Sequence, residues 1–245
     1  LFLADATLAK VPLTVLSFEI SLANHGVLFL DELPEFRRRT LDLLRQPIED
    51  GHVVISRSKY RIRYPSQVMV VASMNPSPAG GWPGDDQTGV SELEMKRYLS
   101  RISGPFMDRM DMHVEVPAVK YEQLQEVTAK EGSEQIRARV VAAREQQVER
   151  FSGSTGIYCN AQMGRSEIRR MINLDPESER VLRKMMKLRD LSARAHDRIL
   201  KMARTIADLD GAPRISGEHV GEAADYRVLD RKGWGFQNPV NPERV

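Results

Sequence analysis

Residues 26–32 read Gly-Val-Leu-Phe-Leu-Asp-Glu, a short apolar run that stops abruptly at two acids. Large apolar side chains in so short a run suit a strand buried on both faces, as in a parallel sheet. Open α/β sheets take their ligands beyond the carboxyl ends of their strands. Asp31 and Glu32 therefore stand where one carboxylate can hold a hydrated Mg²⁺ and its neighbour can polarise an attacking water, the Walker B arrangement. A buried strand running into an acidic loop explains the same residues, so the flanking sequence has to decide.

Working outward, Val68–Ala72 repeats the apolar pattern and ends in Ser73-Met74-Asn75-Pro76. If the two strands are parallel neighbours, the Asn75 amide lies beside the acid pair. There it can hydrogen-bond a water or a γ-phosphate without adding charge. Asn before Pro is also an ordinary turn signal. Between the strands, Pro34 suits the first turn of a helix from about Glu35 to Gln46, with Leu41, Leu44 and Ile48 at helical spacing. Asp50-Gly51 marks a turn. His52–Tyr64 alternates apolar residues with Arg57, Lys59, Arg61 and Arg63 and holds no acid, which predicts a hairpin turning near Ser56–Lys59. Such charges can simply protect an edge strand. They can equally track a phosphate backbone, with Tyr60 or Tyr64 packing on bases.

Downstream, Ser77–Gly89 is a loop rich in Gly, Pro and Asp, and Ser91–Leu99 reads as a helix. A short element is expected at Phe106–Met110 and a third strand at His113–Val116. Arg109 lies between Asp108 and Asp111, where a guanidinium can stabilise a transferring phosphoryl group or merely pair locally. Arg101 is a second candidate. Tyr121–Phe151 is a long charged helical region with a break at Gly132, and its interleaved Arg and Glu predict an exposed, salt-bridged face. Ser166–Leu229 is helical, with starts at Asp175, Ser192 and Ser216. Arg194 and Arg198 share a face of the helix after Ser192. Met185, Met186, Leu188 and Leu191 are expected in its core. The fold class is α/β. Residues 1–155 form a parallel-sheet core with the basic hairpin and a following helical region, and residues 156–245 form a helical domain.

Composition narrows the functions. A net charge of +2 leaves any nucleic-acid contact to a local patch. The single cysteine, Cys159, excludes an intrachain disulfide and a Cys-rich zinc site and suits a cytoplasmic protein. The five histidines are scattered, without metal-ligand spacing. No apolar stretch reaches the length needed to span a membrane, about 18 residues. Residues 1–16, interrupted by Asp5, Lys10 and Pro12, do not read as a signal peptide.

GVLFLDELPEF, LRQPIEDG, MNPSP, RYLSRISGPFMDRMDMHVEVP and LSARAHDRILKMARTIADL occur in this order. Together they resemble the magnesium-chelatase-like AAA+ ATPases, most of all the ComM/YifB branch, over about residues 19–231. The resemblance implies a P-loop NTPase core, incomplete on its N-terminal side, with an α-helical lid. It implies ATP and Mg²⁺ as cofactors and a homo-oligomeric, hexameric ring. Asp31 is then the Mg²⁺ residue, acting through water, Glu32 the catalytic base and Asn75 sensor 1. Arg109 is the arginine finger reaching the next protomer, and Arg194 is sensor 2. Arg57, Lys59, Arg61 and Arg63 belong to a pore hairpin directed at DNA.

This sequence departs from the family in two ways. It contains no G-x-x-x-x-G-K-[ST], which the family places upstream of residue 19, and residues 1–18 do not resemble that upstream sequence. The chain alone is therefore expected to bind nucleotide poorly and to be inactive. The loop after Asn75-Pro76 also lacks the cysteines of many relatives. Three functions compete. The first is a ring ATPase translocating on DNA or promoting branch migration of incoming single strands. The second is the motor subunit of a magnesium chelatase. The third is a non-hydrolysing interaction module. DNA-stimulated ATP hydrolysis marks the first and a porphyrin-binding partner the second. The third is supported only by the missing phosphate loop and opposed by the intact Asp31, Glu32, Asn75 and Arg109, so the upstream sequence decides it.

Overall fold

The computed structural model describes residues 2–4, 19–57, 60–80, 90–117, 131–227 and 229. The chain divides into two compact units, one up to Met110 and the other from Asp111.

In the first unit, β1 (Phe2–Ala4), β2 (Val27–Leu30) and β5 (Met69–Ala72) form a parallel sheet in the order β1-β2-β5. β1 falls in a stretch from which the sequence predicted no strand. β2 and β5 pair Val27 with Met69 and run in register to Leu30 and Ala72. Burial along β2 alternates: Leu28 and Leu30 are fully buried, whereas Val27 and Phe29 are only partly so. The expectation of burial on both faces therefore holds only in part. One face packs on Leu41, Leu44, Ile102 and Phe106. On β5 the side chains of Met69 and Val71 are exposed.

The helix α1 (Arg38–Asp50) follows a 3-10 turn at Leu33–Glu35 that carries Pro34 at its start. Its buried residues, Thr40, Leu41, Leu44 and Pro47, lie on one face. Pro47 does not end the helix, contrary to the predicted stop at Gln46. A proline removes one intrahelical hydrogen bond, the one its N–H would have given to Leu43 O, but the helix continues through it. Gly51 ends the helix instead, at φ 66, where its N–H donates to Pro47 O at 2.9 Å. The hairpin forms as expected from β3 (His52–Arg57) and β4 (Tyr60–Pro65). Two further helices complete the unit. α2 (Glu92–Ser100) opens on a capping box between Ser91 and Glu94, and α3 (Gly104–Met107) is capped by Ser103.

The second unit holds α4 (Ser133–Arg150), α5 (Arg165–Met171), α6 (Pro176–Leu188), α7 (Ala193–Leu209) and α8 (Gly217–Asp225). Asp175, Ser192 and Ser216 cap α6, α7 and α8, as their sequence positions predicted. Two expectations change. The long charged helix α4 belongs to this unit rather than to the first, which puts the division well before residue 155. Residues 113–116 are not a strand; His113 N–H instead donates to Tyr226 O at 2.7 Å. The core gathers Ile199, Ala203, Ala207, Val220 and Ala224, with Met185, Met186 and Leu191 packed against it. Leu188, expected in that core, is exposed.

Asp208 is the polar centre of this unit, its side chain wholly buried. It accepts hydrogen bonds from Arg150 Nη1 at 2.7 Å, Asn160 Nδ2 at 2.7 Å and Arg204 Nε at 3.0 Å. Arg150 is thus an internal tie between α4 and α7, not part of the surface stripe predicted for it. Burial pushes the Asp208 carboxyl up. The bonds from Arg150 and Asn160 and the charge of Arg204 outweigh that push and hold it below the usual carboxylate range.

Removing Arg150 (Arg150→Ala) leaves Asp208 with Arg204 as its remaining charged partner and is expected to cost about 1.5–3 kcal/mol in urea unfolding. A carboxyl depressed in the folded state binds more protons when unfolded. Its stabilisation is therefore complete above the unfolded pKa, about 4, and is lost as pH falls through the folded value. Asp208→Asn should be less stable at neutral pH and should show a shallower decline in stability below that pH.

Candidate nucleotide-binding edge and basic hairpin

The β2–β5 ladder continues past the strands. Ser73 N–H donates to Leu30 O at 2.9 Å, and Leu33 N–H donates to Ser73 O at 2.9 Å. Asp31 and Ser73 are therefore side by side at the carboxyl edge of the sheet. The Ser73 hydroxyl donates to Asp31 Oδ1, and the Glu32 N–H donates to the same oxygen at 3.0 Å. Asp31 Oδ2 makes no hydrogen bond among the described residues. Glu32 is exposed and left-handed, at φ 51, a conformation that costs a non-glycine residue about 1–2 kcal/mol. The turn bends the chain out of the strand before Leu33 and Pro34 bury themselves in the core.

Asn75 is exposed two residues beyond Ser73, and its carbonyl accepts from Tyr98 Oη at 3.0 Å. Burial, with Glu35 and Glu32 nearby, raises the Tyr98 hydroxyl pKa, which keeps the hydroxyl a proton donor. Asn75 has no hydrogen bond to the acid pair among the described residues. Among those residues no three His, Cys, Asp or Glu side chains gather into a metal cage. One exposed carboxylate with an uncommitted oxygen is the donor set that suits Mg²⁺, which keeps most of its waters and shares its ligands with phosphates. Sequence reading missed Ser73 and Tyr98. The signal for Ser73 was available, since it follows its strand at the same step as Asp31 follows β2.

The arginines divide. Arg109 was expected to reach toward a neighbouring protomer; within this chain it is held internally. Its side chain is 10% exposed, and it is bound within its own unit by Glu49, by Arg45 O at 3.1 Å and by Pro105 O at 2.7 Å. It clamps α3 to the end of α1. Arg101 is 51% exposed and pairs with Glu35 at 2.7 Å. In the second unit Arg198 is engaged by Asp111, while Arg194 is exposed on the first turn of α7.

In the hairpin, Arg61 and Arg63 are exposed and follow one register row of β4, opposite Ser56 and Val54. Arg57 pairs in register with Tyr60, out of that row, and Lys59 lies outside the described residues. Arg63 Nη2 lies 3.0 Å from His52 Nδ1. Tyr60 is 71% exposed, whereas Tyr64 is half-buried.

Two family profiles match the chain in succession. Magnesium chelatase, subunit ChlI, covers residues 12–124, and the ChlI C-terminal profile covers residues 130–227. The chain belongs to the magnesium chelatase family. Competence protein ComM of Haemophilus influenzae is 45% identical over 214 residues, 87% of this chain and 41% of the relative. YifB of Escherichia coli K12 is also 45% identical over 214 residues, with the same coverage. A Mycobacterium tuberculosis H37Rv protein is 32% identical over 209 residues. The chain therefore spans about two fifths of the length of these curated relatives. Family membership fits the α/β unit with its parallel sheet and the helical unit after it. No described helix is long and apolar enough to cross a membrane.

As a clamp, Arg109 should matter to folding. Arg109→Ala is expected to lower stability by about 1.5–3 kcal/mol, the usual loss for a charged hydrogen-bonded group. Glu49→Gln, at a partly exposed partner, should cost less. Denaturant titration of both variants checks the ordering; an Arg109→Ala variant as stable as the parent would contradict the clamp.

Proposed function

We propose that this chain carries part of an ATP-hydrolysing AAA+ ring motor of the magnesium chelatase family. One observation carries the reading: two exposed carboxylates at the carboxyl edge of a parallel sheet, with Asp31 oriented by two donors to a single oxygen. Asp31 would hold Mg²⁺ through water. When bound, Mg²⁺ neutralises charge on the phosphate oxygens. Glu32, next to Asp31 at the strand end, takes the proton of the attacking water. The Asn75 amide orients that water or a phosphate oxygen. Arg194 serves as sensor 2. A finger role for Arg109 requires it to leave Glu49, Arg45 and Pro105. Arg101, more exposed, is the other candidate.

The motor would act as a homo-oligomeric, hexameric ring in the cytoplasm and translocate on DNA or promote branch migration. Support for DNA comes from the exposed Arg61 and Arg63 and from the name of the Haemophilus influenzae relative, a competence protein. The family's own description favours a second reading, the motor subunit of a metal chelatase.

In the full-length protein, Glu32→Gln should leave the fold and nucleotide binding intact while slowing ATP hydrolysis by about 10²–10⁴-fold. A Glu32→Gln protein that hydrolyses ATP at the parent rate would refute the assignment. Neutralising Arg61 or Arg63 should weaken DNA binding alike on all sequences and reduce the salt slope by about one unit each. Unchanged DNA affinity, with hydrolysis coupled to a porphyrin-binding partner, would favour the chelatase reading.

A further inference from the structure

We propose that Ser73 is a positioning residue for Asp31. It fixes the carboxylate so that Oδ2, and not Oδ1, faces the metal. The inference rests on the ATPase reading above and adds a residue to it.

The terminal torsion of an aspartate is broad and nearly two-fold, so an exposed carboxylate ordinarily presents either oxygen. Here two donors converge on Oδ1, the Ser73 hydroxyl and the Glu32 N–H. A serine hydroxyl has a single proton to donate, and this one is committed to Asp31. Hydrogen bonds to an ionised acceptor are short and about twice as strong as neutral ones. Ser73 is itself immobilised, since its N–H binds Leu30 O and its carbonyl accepts from Leu33 N–H. The donor is thus fixed by the same ladder that fixes the acceptor. Metal-binding groups depend on such outer partners for their orientation, and losing one typically costs 10–100-fold in metal affinity or activity.

The consequence is specific. The serine should not be needed for the fold, because its backbone bonds survive substitution. It should be needed for the metal. The test uses the full-length protein with bound nucleotide and Mn²⁺ as probe, followed by electron paramagnetic resonance. Ser73→Ala is expected to weaken Mn²⁺ binding by about ten-fold. Metal-free nucleotide affinity and melting temperature should stay near those of the parent. Ser73→Thr, which keeps the hydroxyl, should restore Mn²⁺ affinity, and the near-isosteric Ser73→Cys, a weak donor, should fall between. Equal Mn²⁺ affinity in parent and Ser73→Ala, or a loss that threonine does not restore, would overturn the proposal. If the parent itself shows no nucleotide-dependent Mn²⁺ binding, the ATPase reading falls, and the role of Ser73 falls with it.

Discussion

The parallel pairing of β2 with β5 governs the first unit. Its hydrogen bonds run from Val27 and Met69 to Leu30 and Ala72 and then continue one step further, through Ser73 to Leu33. A slip of one residue in that register would turn Leu28 and Leu30 out of the core. The same slip would part Asp31 from Ser73. Burial of two leucines and orientation of one carboxylate are thus set by a single alignment. The left-handed Glu32 is tolerated there because the chain is held on both sides, by the ladder before it and by the buried Leu33 and Pro34 after it.

The second unit solves a different problem. Its helices meet around Asp208, which collects donors from α4, from the 3-10 turn at Asn160–Gln162 and from α7 itself. A buried carboxylate is costly alone and acceptable only with this many partners. The arrangement fixes how the long helix α4 lies on α7. The side of α4 away from it carries ordinary surface chemistry, such as the Arg139–Glu131 pair.

Periodicity and capping made much of this readable from sequence. The strand at Val27–Leu30 and the helix starts at Asp175, Ser192 and Ser216 follow from local rules that the tertiary structure does not override. What escaped was non-local. Arg150 has the same sequence context as its exposed neighbours, and only the fold brings Asp208 to it, 58 positions away. Arg109 looked like a guanidinium held between two aspartates, yet it chose Glu49, 60 positions away. The helix predicted to end near Gln46 runs on through Pro47 to Asp50, where Gly51 closes it. At the candidate site the acid pair and the amide were legible as residue types on strand ends, while the hydroxyl that orients Asp31 depends on a register that no single segment contains.

The most direct measurement is a structure of the full-length protein with a non-hydrolysable ATP analogue and Mg²⁺. The triphosphate is expected at the carboxyl edge of β2 and β5, with the metal on the Oδ2 side of Asp31 and Glu32 facing the terminal phosphate. A nucleotide bound elsewhere, or a metal that ignores Asp31 while the triphosphate lies at this edge, would contradict it.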